Sequence, residues 1–230
     1  EVQKNIGAEN AVAFDINAAC SGFLFALDTA ALYLEHGGYQ HALVIGAETL
    51  SKMMDWTDRS TCVLFGDGAG AAVLSVSEED GILSMVQGSD GFRGDVLNCM
   101  ARKVNNPYKK SDTALSYVSM NGQEVYRFAV KTVPKAITDA VEQADLHLEE
   151  IDLFLLHQAN YRIIEAVSKR LGQPMEKFPT NLEECGNISA ASVPILLDNV
   201  NNHGMMRKGM KIVLAGFGAG LTWGATVINW

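Results

Sequence analysis

Hydrophobic residues along the chain form short β-branched runs that alternate with longer stretches of helical periodicity. The runs predict strands over residues 11–16, 41–48, 70–76, 81–86, 151–157, 211–217 and 222–229. The helical stretches cover residues 21–34, 125–141, 160–171 and 189–202. Pro134 falls inside the second helix and is expected to kink or break it. A polar stretch over 98–118 indicates a connecting loop. The alternation of strands and helices predicts an α/β protein.

Two of the predicted helices are apolar around most of their circumference, those at 21–34 and 189–200. Such helices have to be covered on all sides. A layered architecture that places them between two sheets provides this cover, whereas an ordinary doubly wound sheet leaves each helix one face in water.

The chain also contains an internal similarity. FGDGAGAAVLSV (65–76) and FGAGLTWGATVI (217–228) each run from a Phe-Gly turn into a strand, and FDINAAC and LFLLHQAN each run from a strand into a helix. A duplication explains both, with an N-terminal half over 1–115 and a C-terminal half over 116–230. Cys20 and His157 would then lie at comparable strand-to-helix junctions, where α/β proteins often bind ligands.

Composition narrows the class of protein. A chain of 230 residues that is 48% apolar can form one large domain or two packed halves. A formal charge of -9 argues against a nucleic-acid-binding protein. Its apolar stretches are interrupted before the ~20 residues of a membrane span, and no leader is recognised, so a cytoplasmic location is expected. The cysteines, Cys20, Cys62, Cys99 and Cys185, are widely spaced and predict neither disulfides nor a zinc site.

Cys20 is the first candidate for chemistry. A free cysteine is commonly a packing residue. At the start of a helix, however, unpaired N–H groups and the helix dipole favour the thiolate, so Cys20 is expected to react with alkylating agents ahead of Cys62 and Cys99. His157 could equally be a core residue, and Asn187 a turn residue or helix cap. Together the three form a nucleophile and two hydrogen-bond donors, a set suited to thioester chemistry.

Five motifs in sequence order carry a resemblance to a known family: DINAACSGF, TDRSTCVLFGDGAGAAVL, LLHQANYRI, GNISAASVP and GFGAGLTWGA. They resemble β-ketoacyl-[acyl-carrier-protein] synthase III, a family of thiolase-fold condensing enzymes, nearly end to end. The resemblance implies a five-layer α-β-α-β-α fold, a homodimer and a catalytic triad of Cys20, His157 and Asn187. The family has a further strand-and-helix portion upstream, which a chain that starts at Glu1 without a methionine is expected to lack.

The resemblance also implies a reaction. Cys20 would attack the thioester of a short acyl-CoA, and His157 and Asn187 would bind the thioester oxygen of malonyl-acyl-carrier protein as CO2 leaves. The resulting carbanion would attack acyl-Cys20 and give 3-ketoacyl-carrier protein. Backbone N–H groups of Cys20 and Ala219 would form the oxyanion hole, with Ala219 standing where the family commonly has glycine. No cofactor or metal is implied, because the CoA thioester is a substrate.

Partner contacts follow from the same resemblance. Arg59 matches the arginine that packs on the CoA adenine, and its alternative is a surface ion pair with Asp55 or Asp58. The positions that match carrier-protein docking residues are Arg127, Arg162, Lys169 and Arg170. An acidic chain needs such a basic patch to bind an acidic carrier. Alternatively these charges belong to a solvated helix face, where Glu165 and Lys169 form an i, i+4 pair.

Other functions remain open from the sequence. One is a related Cys-His-Asn condensing enzyme of polyketide or alkylquinolone type. Another is a non-catalytic thiolase-like binding module, in which Cys20 would be sterically shut. Asn187 within GNISAAS favours the initiating type of synthase over elongating enzymes with a Cys-His-His set.

Overall fold

The computed structural model describes residues 1–100, 103–111 and 116–230. Its helices are α1 (Val2–Asn5), α2 (Gly22–Glu35), α3 (Gly122–Gln143), α4 (Tyr161–Leu171), α5 (Leu182–Cys185) and α6 (Ser192–Asn202). Its strands are β1 (His41–Thr49), β2 (Asp67–Ser75), β3 (Ile82–Ser89), β4 (Leu97–Asn98), β5 (Ser119–Met120), β6 (Leu153–Leu156), β7 (Lys211–Gly218) and β8 (Thr222–Asn229). All four predicted helices are confirmed, as are the predicted strands from residue 41 onward.

The predicted strand at 11–16 is wrong for this chain. Its apolar side chains alternate as in a strand, yet Val12, Phe14 and Ile16 are 61%, 56% and 41% exposed. A strand needs a neighbour for its N–H and C=O groups. Among the described residues no strand pairs with this segment, which is irregular. The alternation is typical of a strand, but no strand among the described residues lies beside the segment to pair with it.

The longer strands form two sheets. β1 and β2 pair antiparallel, from His41 opposite Ser75 to Thr49 opposite Asp67. The larger sheet has the order β3-β8-β7-β6, in which only β6 and β7 run parallel. Strand β3 thus pairs with β8 across the predicted boundary between the halves at about 115, a position that lies outside the described residues.

Helices α2 and α6 lie between the two sheets. One apolar cluster joins Phe23 and Leu24 of α2, Leu196 of α6, Val44 of β1 and Leu214 of β7. This placement confirms that both helices lie between two sheets, but the predicted cover on all sides is incomplete, because Leu32 of α2 is 59% exposed. Helices α3 and α4 pack on the opposite face of the larger sheet in a second cluster. The described residues therefore build four layers, in the order sheet, helices, sheet, helices.

Helix α3 runs without a break through Pro134. A proline has no N–H, so the Val130 carbonyl, four residues earlier, loses its helical donor. The Arg170 side chain of α4 supplies a replacement, because its Nη1 donates to Val130 O at 3.1 Å. The structure thus shows no break at Pro134, and a neighbouring helix satisfies the freed carbonyl.

Candidate active site

Cys20 lies in a 3-10 turn, Ala19–Ser21, that leads directly into α2. We call it the Cys20 turn. Ala19 has φ 47°, in the left-handed region that residues other than glycine seldom adopt. The Asn17 side chain supports this conformation by accepting the Ala19 N–H at 3.0 Å. The turn holds Cys20 at the N-terminus of an inner helix, where it is 8% exposed.

The end of β7 packs tightly against Cys20. A Cβ atom on Gly218 would lie 2.7 Å from the Cys20 Cβ, 2.9 Å from its N and 3.1 Å from its Sγ. Real Cβ atoms do not approach backbone this closely, so the contact requires glycine at 218. Within the described part of the chain, neither the Cys20 N–H nor the Ala219 N–H donates to an oxygen. Both predicted oxyanion-hole N–H groups therefore have no oxygen acceptor in the described chain.

His157 follows β6 and extends its pairing, since its N–H donates to Ala215 O at 2.7 Å. The ring is buried and lies edge-on to Phe217, with 5.4 Å between ring centroids. Its Nδ1 has no hydrogen-bond partner among the described residues. Burial lowers the pKa of His157 to about 3, because the charged imidazolium would lose its hydration. The imidazole is therefore neutral at physiological pH and can donate one hydrogen bond.

Asn187 is buried and fixed from both sides of its backbone. Its N–H donates to Leu64 O at 3.0 Å, and its carbonyl accepts the Gly66 N–H at 2.9 Å. The Oδ1 atom accepts the Ser189 N–H at 2.9 Å. This bond fixes the orientation of the amide and leaves its NH2 group as the part that can donate to a ligand.

Burial also controls the Cys20 thiol. Desolvation raises the pKa of Cys20 to about 11, and the negative charge of Glu48 adds to the rise. Hydrogen bonds from the Ser189 side chain and from the Cys20 backbone lower the pKa, but by less. The predicted resting thiolate is therefore wrong, because the loss of hydration outweighs the helix N-terminus. Cys99, which is exposed, is expected to react first with an alkylating agent near neutral pH.

The three triad candidates meet around the end of β7. Gly218 touches Cys20, and Phe217 packs on His157. Ser189 connects the third, because its N–H donates to Asn187 Oδ1 and its side chain lies near enough to the Cys20 thiol to lower the pKa of that thiol. The cluster thus combines a buried nucleophile with a neutral imidazole, an oriented amide and two backbone N–H groups that have no oxygen acceptor in the described chain.

Arg59 lies on an exposed loop, and the alternative ion pair is not formed among the described residues. The Asp55 carboxylate accepts from Thr57, and that of Asp58 accepts from Ser60 and Thr61. These hydrogen bonds hold the pKa values of both carboxyls below their usual range. The carboxylates stabilise local turns, which leaves Arg59 exposed for another partner.

The predicted docking residues differ in their contacts. Lys169 pairs with Glu165 at 2.8 Å, as the alternative explanation expected. Arg127 pairs with Glu124 at 2.6 Å, a contact that was not predicted from the sequence. Arg170 is held by Val130 O. Arg162 is exposed and forms no ion pair within the described residues.

Sequence reasoning missed three polar side chains near Cys20: Ser189, Glu48 and Thr222. Ser189 lies within a motif that was recognised, GNISAAS, but its contact with the thiol depends on how two distant turns pack. Glu48 accepts the Ala190 N–H at 3.3 Å across 142 residues of sequence. No local pattern could have found these contacts.

The described residues contain neither a metal-binding cluster nor a membrane-spanning helix. In the described ranges, no group of His, Cys, Asp and Glu side chains could hold a metal ion. None of the described helices is long and apolar enough to cross a membrane. All four cysteines are free.

Comparison with known proteins supports the resemblance. Residues 14–91 match the family model for 3-oxoacyl-[acyl-carrier-protein (ACP)] synthase III, and residues 141–230 match the model of its C-terminal part. A β-ketoacyl-[acyl-carrier-protein] synthase III of Clostridium acetobutylicum is 50% identical over 230 residues, which cover 100% of this chain and 71% of that protein.

Solved structures agree. A β-ketoacyl-[acyl carrier protein] synthase III from Thermus thermophilus has 43% identity and a TM-score of 0.92, over 100% of this chain and 71% of its own. The priming β-ketosynthase from the R1128 polyketide biosynthetic pathway has 38% identity and a TM-score of 0.92, over 99% and 68%. These matches confirm the predicted thiolase-like α/β fold.

Proposed function

We propose that this chain, which belongs to the 3-oxoacyl-[acyl-carrier-protein] synthase III family, condenses a short acyl-CoA with malonyl-acyl-carrier protein through an acyl-Cys20 intermediate. As a member of that family it is an acyltransferase, and its condensation initiates fatty acid synthesis. The observation that carries the proposal is the meeting of a buried thiol, a neutral imidazole and an oriented amide around the end of β7.

In the first half-reaction, Cys20 attacks the carbonyl carbon of the acyl-CoA thioester. A new carbon–sulfur bond forms, the bond to CoA breaks, and the thiol proton passes to the CoA sulfur. Because burial raises the pKa of Cys20 to about 11, the proton leaves as attack proceeds rather than beforehand. The N–H groups of Cys20 and Ala219 bind the oxygen on which negative charge develops, a stabilisation worth ~10²–10³ in rate per donor.

In the second half-reaction, malonyl-carrier protein loses CO2 and leaves an enolate on its thioester. His157 and Asn187 each donate a hydrogen bond to the enolate oxygen. A pKa of about 3 makes His157 a neutral donor that keeps its proton throughout. The enolate carbon then attacks acyl-Cys20, and the tetrahedral intermediate expels the Cys20 thiolate, which takes a proton from solvent to restore the thiol. The product is a 3-ketoacyl-carrier protein.

Partners complete the proposal. Arg59 binds the adenine of CoA, and a basic surface of Arg127, Arg162, Lys169 and Arg170 binds the carrier protein. Arg162 is the principal docking residue of this set, because the other three have partners within the protein. The protein acts as a cytoplasmic homodimer and needs no resident cofactor, since both thioesters are substrates.

Mass spectrometry tests the first half-reaction. After incubation with acetyl-CoA, we expect one acetyl adduct on Cys20 and none in a Cys20→Ala variant. An Asn187→Ala variant should keep much of this acylation and lose malonyl decarboxylation. Absence of the adduct in the folded protein would refute the proposal and favour a non-catalytic binding module.

Steady-state kinetics tests carrier docking. Arg162→Glu should raise the KM for malonyl-carrier protein and flatten its salt dependence, with acylation by acetyl-CoA nearly unchanged, since exposed charges act mainly on association. Arg207→Glu is a matched control, because it makes the same charge change at another exposed arginine. Equal losses with both substrates would assign Arg162 a structural role instead.

The similarity to a priming polyketide ketosynthase supports a second candidate, priming of a polyketide by the same chemistry. Both candidates use the same triad, so they differ in the carrier protein accepted. Measuring kcat/KM with malonyl-loaded carriers of the fatty acid and polyketide types distinguishes them.

A further inference from the structure

Thr222, the first residue of β8, contacts the two chain segments whose backbone N–H groups are proposed as the oxyanion hole. Its Oγ1 is 3.1 Å from Ala18 O and 3.2 Å from Ser21 Oγ, on either side of Cys20. The same atom is 3.0 Å from Ala219 O. One hydroxyl thus contacts both chain segments that supply the hole.

The backbone of Thr222 is fixed independently of these contacts. It pairs with Gly218 of β7 on one side and with Ser89 of β3 on the other. A short β-branched side chain on a backbone held this way has little freedom. Its hydroxyl is therefore a rigid reference point for the two flanking turns.

The number of hydrogen bonds that a hydroxyl can form decides which of these contacts Thr222 donates to and which it accepts from. A threonine hydroxyl donates one hydrogen bond and accepts up to two. Ala18 O already accepts the Ser21 N–H at 3.1 Å, whereas Ala219 O accepts from no other group in the described chain. The consistent arrangement is that the buried Ser21 hydroxyl donates to Thr222, which donates to Ala219 O. This chain of bonds ties Ser21, next to Cys20, to the turn that carries the second N–H.

We propose that Thr222 is a positioning residue that holds the N–H groups of Cys20 and Ala219 convergent on the oxygen of the acyl thioester. The proposal rests on the function proposed above and adds a residue to it. Oxyanion stabilisation depends on donors that are in place before charge develops. Gly218 sets the spacing of the two segments next to the thiol, and the Thr222 hydroxyl sets it through its contacts with Ser21 and Ala219.

The test compares two reactions of the same thiol. Acylation by acetyl-CoA develops an oxyanion, whereas alkylation by iodoacetamide at saturated carbon develops none. Thr222→Val keeps the shape and removes the hydroxyl. We expect it to slow acylation at saturating acetyl-CoA by about 10-fold or more, while alkylation of Cys20 at pH 9 stays within about twofold, since the hole takes no part in it.

Conservative and control variants sharpen the comparison. Thr222→Ser keeps a hydroxyl and should restore most of the acylation rate. Thr226→Val, in the same strand, removes a buried hydroxyl that contacts Asp28 and should leave the ratio of the two rates unchanged. Ser21→Ala removes the neighbouring hydroxyl and should show the same selective loss to a smaller degree, which provides a second test if Thr222→Val does not fold.

The outcomes separate this proposal from the function on which it rests. If wild-type protein forms no acetyl-Cys20, the proposed function fails and this inference fails with it. If wild-type acylates and Thr222→Val acylates at the same rate, only the positioning role is overturned. Equal slowing of acylation and alkylation would also overturn it, because a general disturbance of the Cys20 turn affects both reactions.

Discussion

The Cys20 turn and the turn at Ser189–Ala191, here called the Ser189 turn, occupy matching places in the fold. Each begins with a residue at φ 47°, Ala19 or Ser189, and each leads into an inner helix, α2 or α6. A strand glycine packs against each turn, Gly216 of β7 against Cys20 and Gly46 of β1 against Ala190. The match is typical of an internal duplication, but it pairs the Cys20 turn with the Ser189 turn and not with His157.

The two turns differ in the residue that packs on them two positions after each of those strand glycines. After Gly46 comes Glu48, whose carboxylate accepts the Ala190 N–H at 3.3 Å. After Gly216 comes Gly218, which has no side chain and leaves the Cys20 N–H without an oxygen acceptor. In the Ser189 turn, Glu48 accepts the hydrogen bond of the Ala190 N–H. In the Cys20 turn, the equivalent N–H has no oxygen acceptor in the described chain, and the absence of a side chain at Gly218 leaves space for a substrate. A binding site can therefore arise by removing a partner from one of two equivalent turns.

The largest effect is expected from filling the open turn. Gly218→Ala places a Cβ within 3 Å of the Cys20 backbone and should lower the rate of Cys20 acylation by about 10³-fold, because the nucleophile and the oxyanion donor are both displaced. Acylation is followed by mass spectrometry, with thermal unfolding to verify the fold. Gly38→Ala is the control, since its Cβ would meet no atom within 4 Å. Near-normal acylation of Gly218→Ala would contradict this account of the open turn.

The inner helices offer a second contrast, between Asp28 of α2 and Asp198 of α6. Each lies six residues after the first residue of its helix. Asp198 is exposed, whereas Asp28 is buried and accepts hydrogen bonds from Gln87 and Thr226. Burial raises the pKa of Asp28 to about 7, against the lowering effect of those bonds. The folded state therefore keeps a proton that the unfolded chain releases above pH ~4, and stability falls as pH rises from there to about 7.

Asp28→Asn should remove this pH dependence. At about 1.4 kcal/mol per pH unit, its free energy of unfolding relative to wild-type should rise by about 2–3 kcal/mol between pH 5 and pH 7. Urea unfolding at the two pH values measures the change, and Asp198→Asn is the matched control, because it makes the same exchange at an exposed position. A constant difference between Asp28→Asn and wild-type would show that Asp28 titrates normally.

A third prediction concerns Ser189, which links the two turns through its hydrogen bond to the thiol. Ser189→Ala should raise the pKa of Cys20 further and slow its alkylation by iodoacetamide at pH 9 by about 10-fold, because a hydrogen bond to a charged group is lost. The rate is measured at Cys20 by peptide mass spectrometry. In the control, Ser192→Ala, the lost hydroxyl accepts the Ile188 N–H and not a bond from the thiol. Equal rates for wild-type and Ser189→Ala would exclude the contact.

The smallest effect is expected at Glu48. Glu48→Gln keeps an acceptor for the Ala190 N–H and removes the charge that raises the pKa of Cys20. Alkylation of Cys20 at pH 8 should therefore become about two- to threefold faster. The same peptide assay measures it, and a slower reaction would show that Glu48 acts through packing instead of charge.

The sequence supported most of the architecture because its signals are local. Helices α2 and α6 were identified from their all-round apolar character, and β7 and β8 from buried β-branched runs. The segment 11–16 has the same alternation and is irregular, because pairing depends on a partner that periodicity does not reveal. The Cys-His-Asn set was predicted from short motifs, because each motif and the order of the motifs can be read from one sequence.

The remaining features depend on three-dimensional packing. Cys20 and His157 were expected at comparable junctions, but the structure matches the Cys20 turn with the Ser189 turn. The likeness lies in backbone conformation and glycine contacts, which residue types do not reveal. The pKa of Cys20 was predicted in the wrong direction for a similar reason, because burial by β7 and the Ser189 turn is a long-range property.

The bond from Arg170 to Val130 O gives Pro134 a role that extends beyond its own helix. By leaving one carbonyl without a helical donor, the proline provides an acceptor through which the exposed Arg170 side chain joins α4 to α3. A Pro134→Ala exchange would return that carbonyl to its own helix and release Arg170. One proline on α3 thus sets the freedom of a cationic side chain on the neighbouring helix.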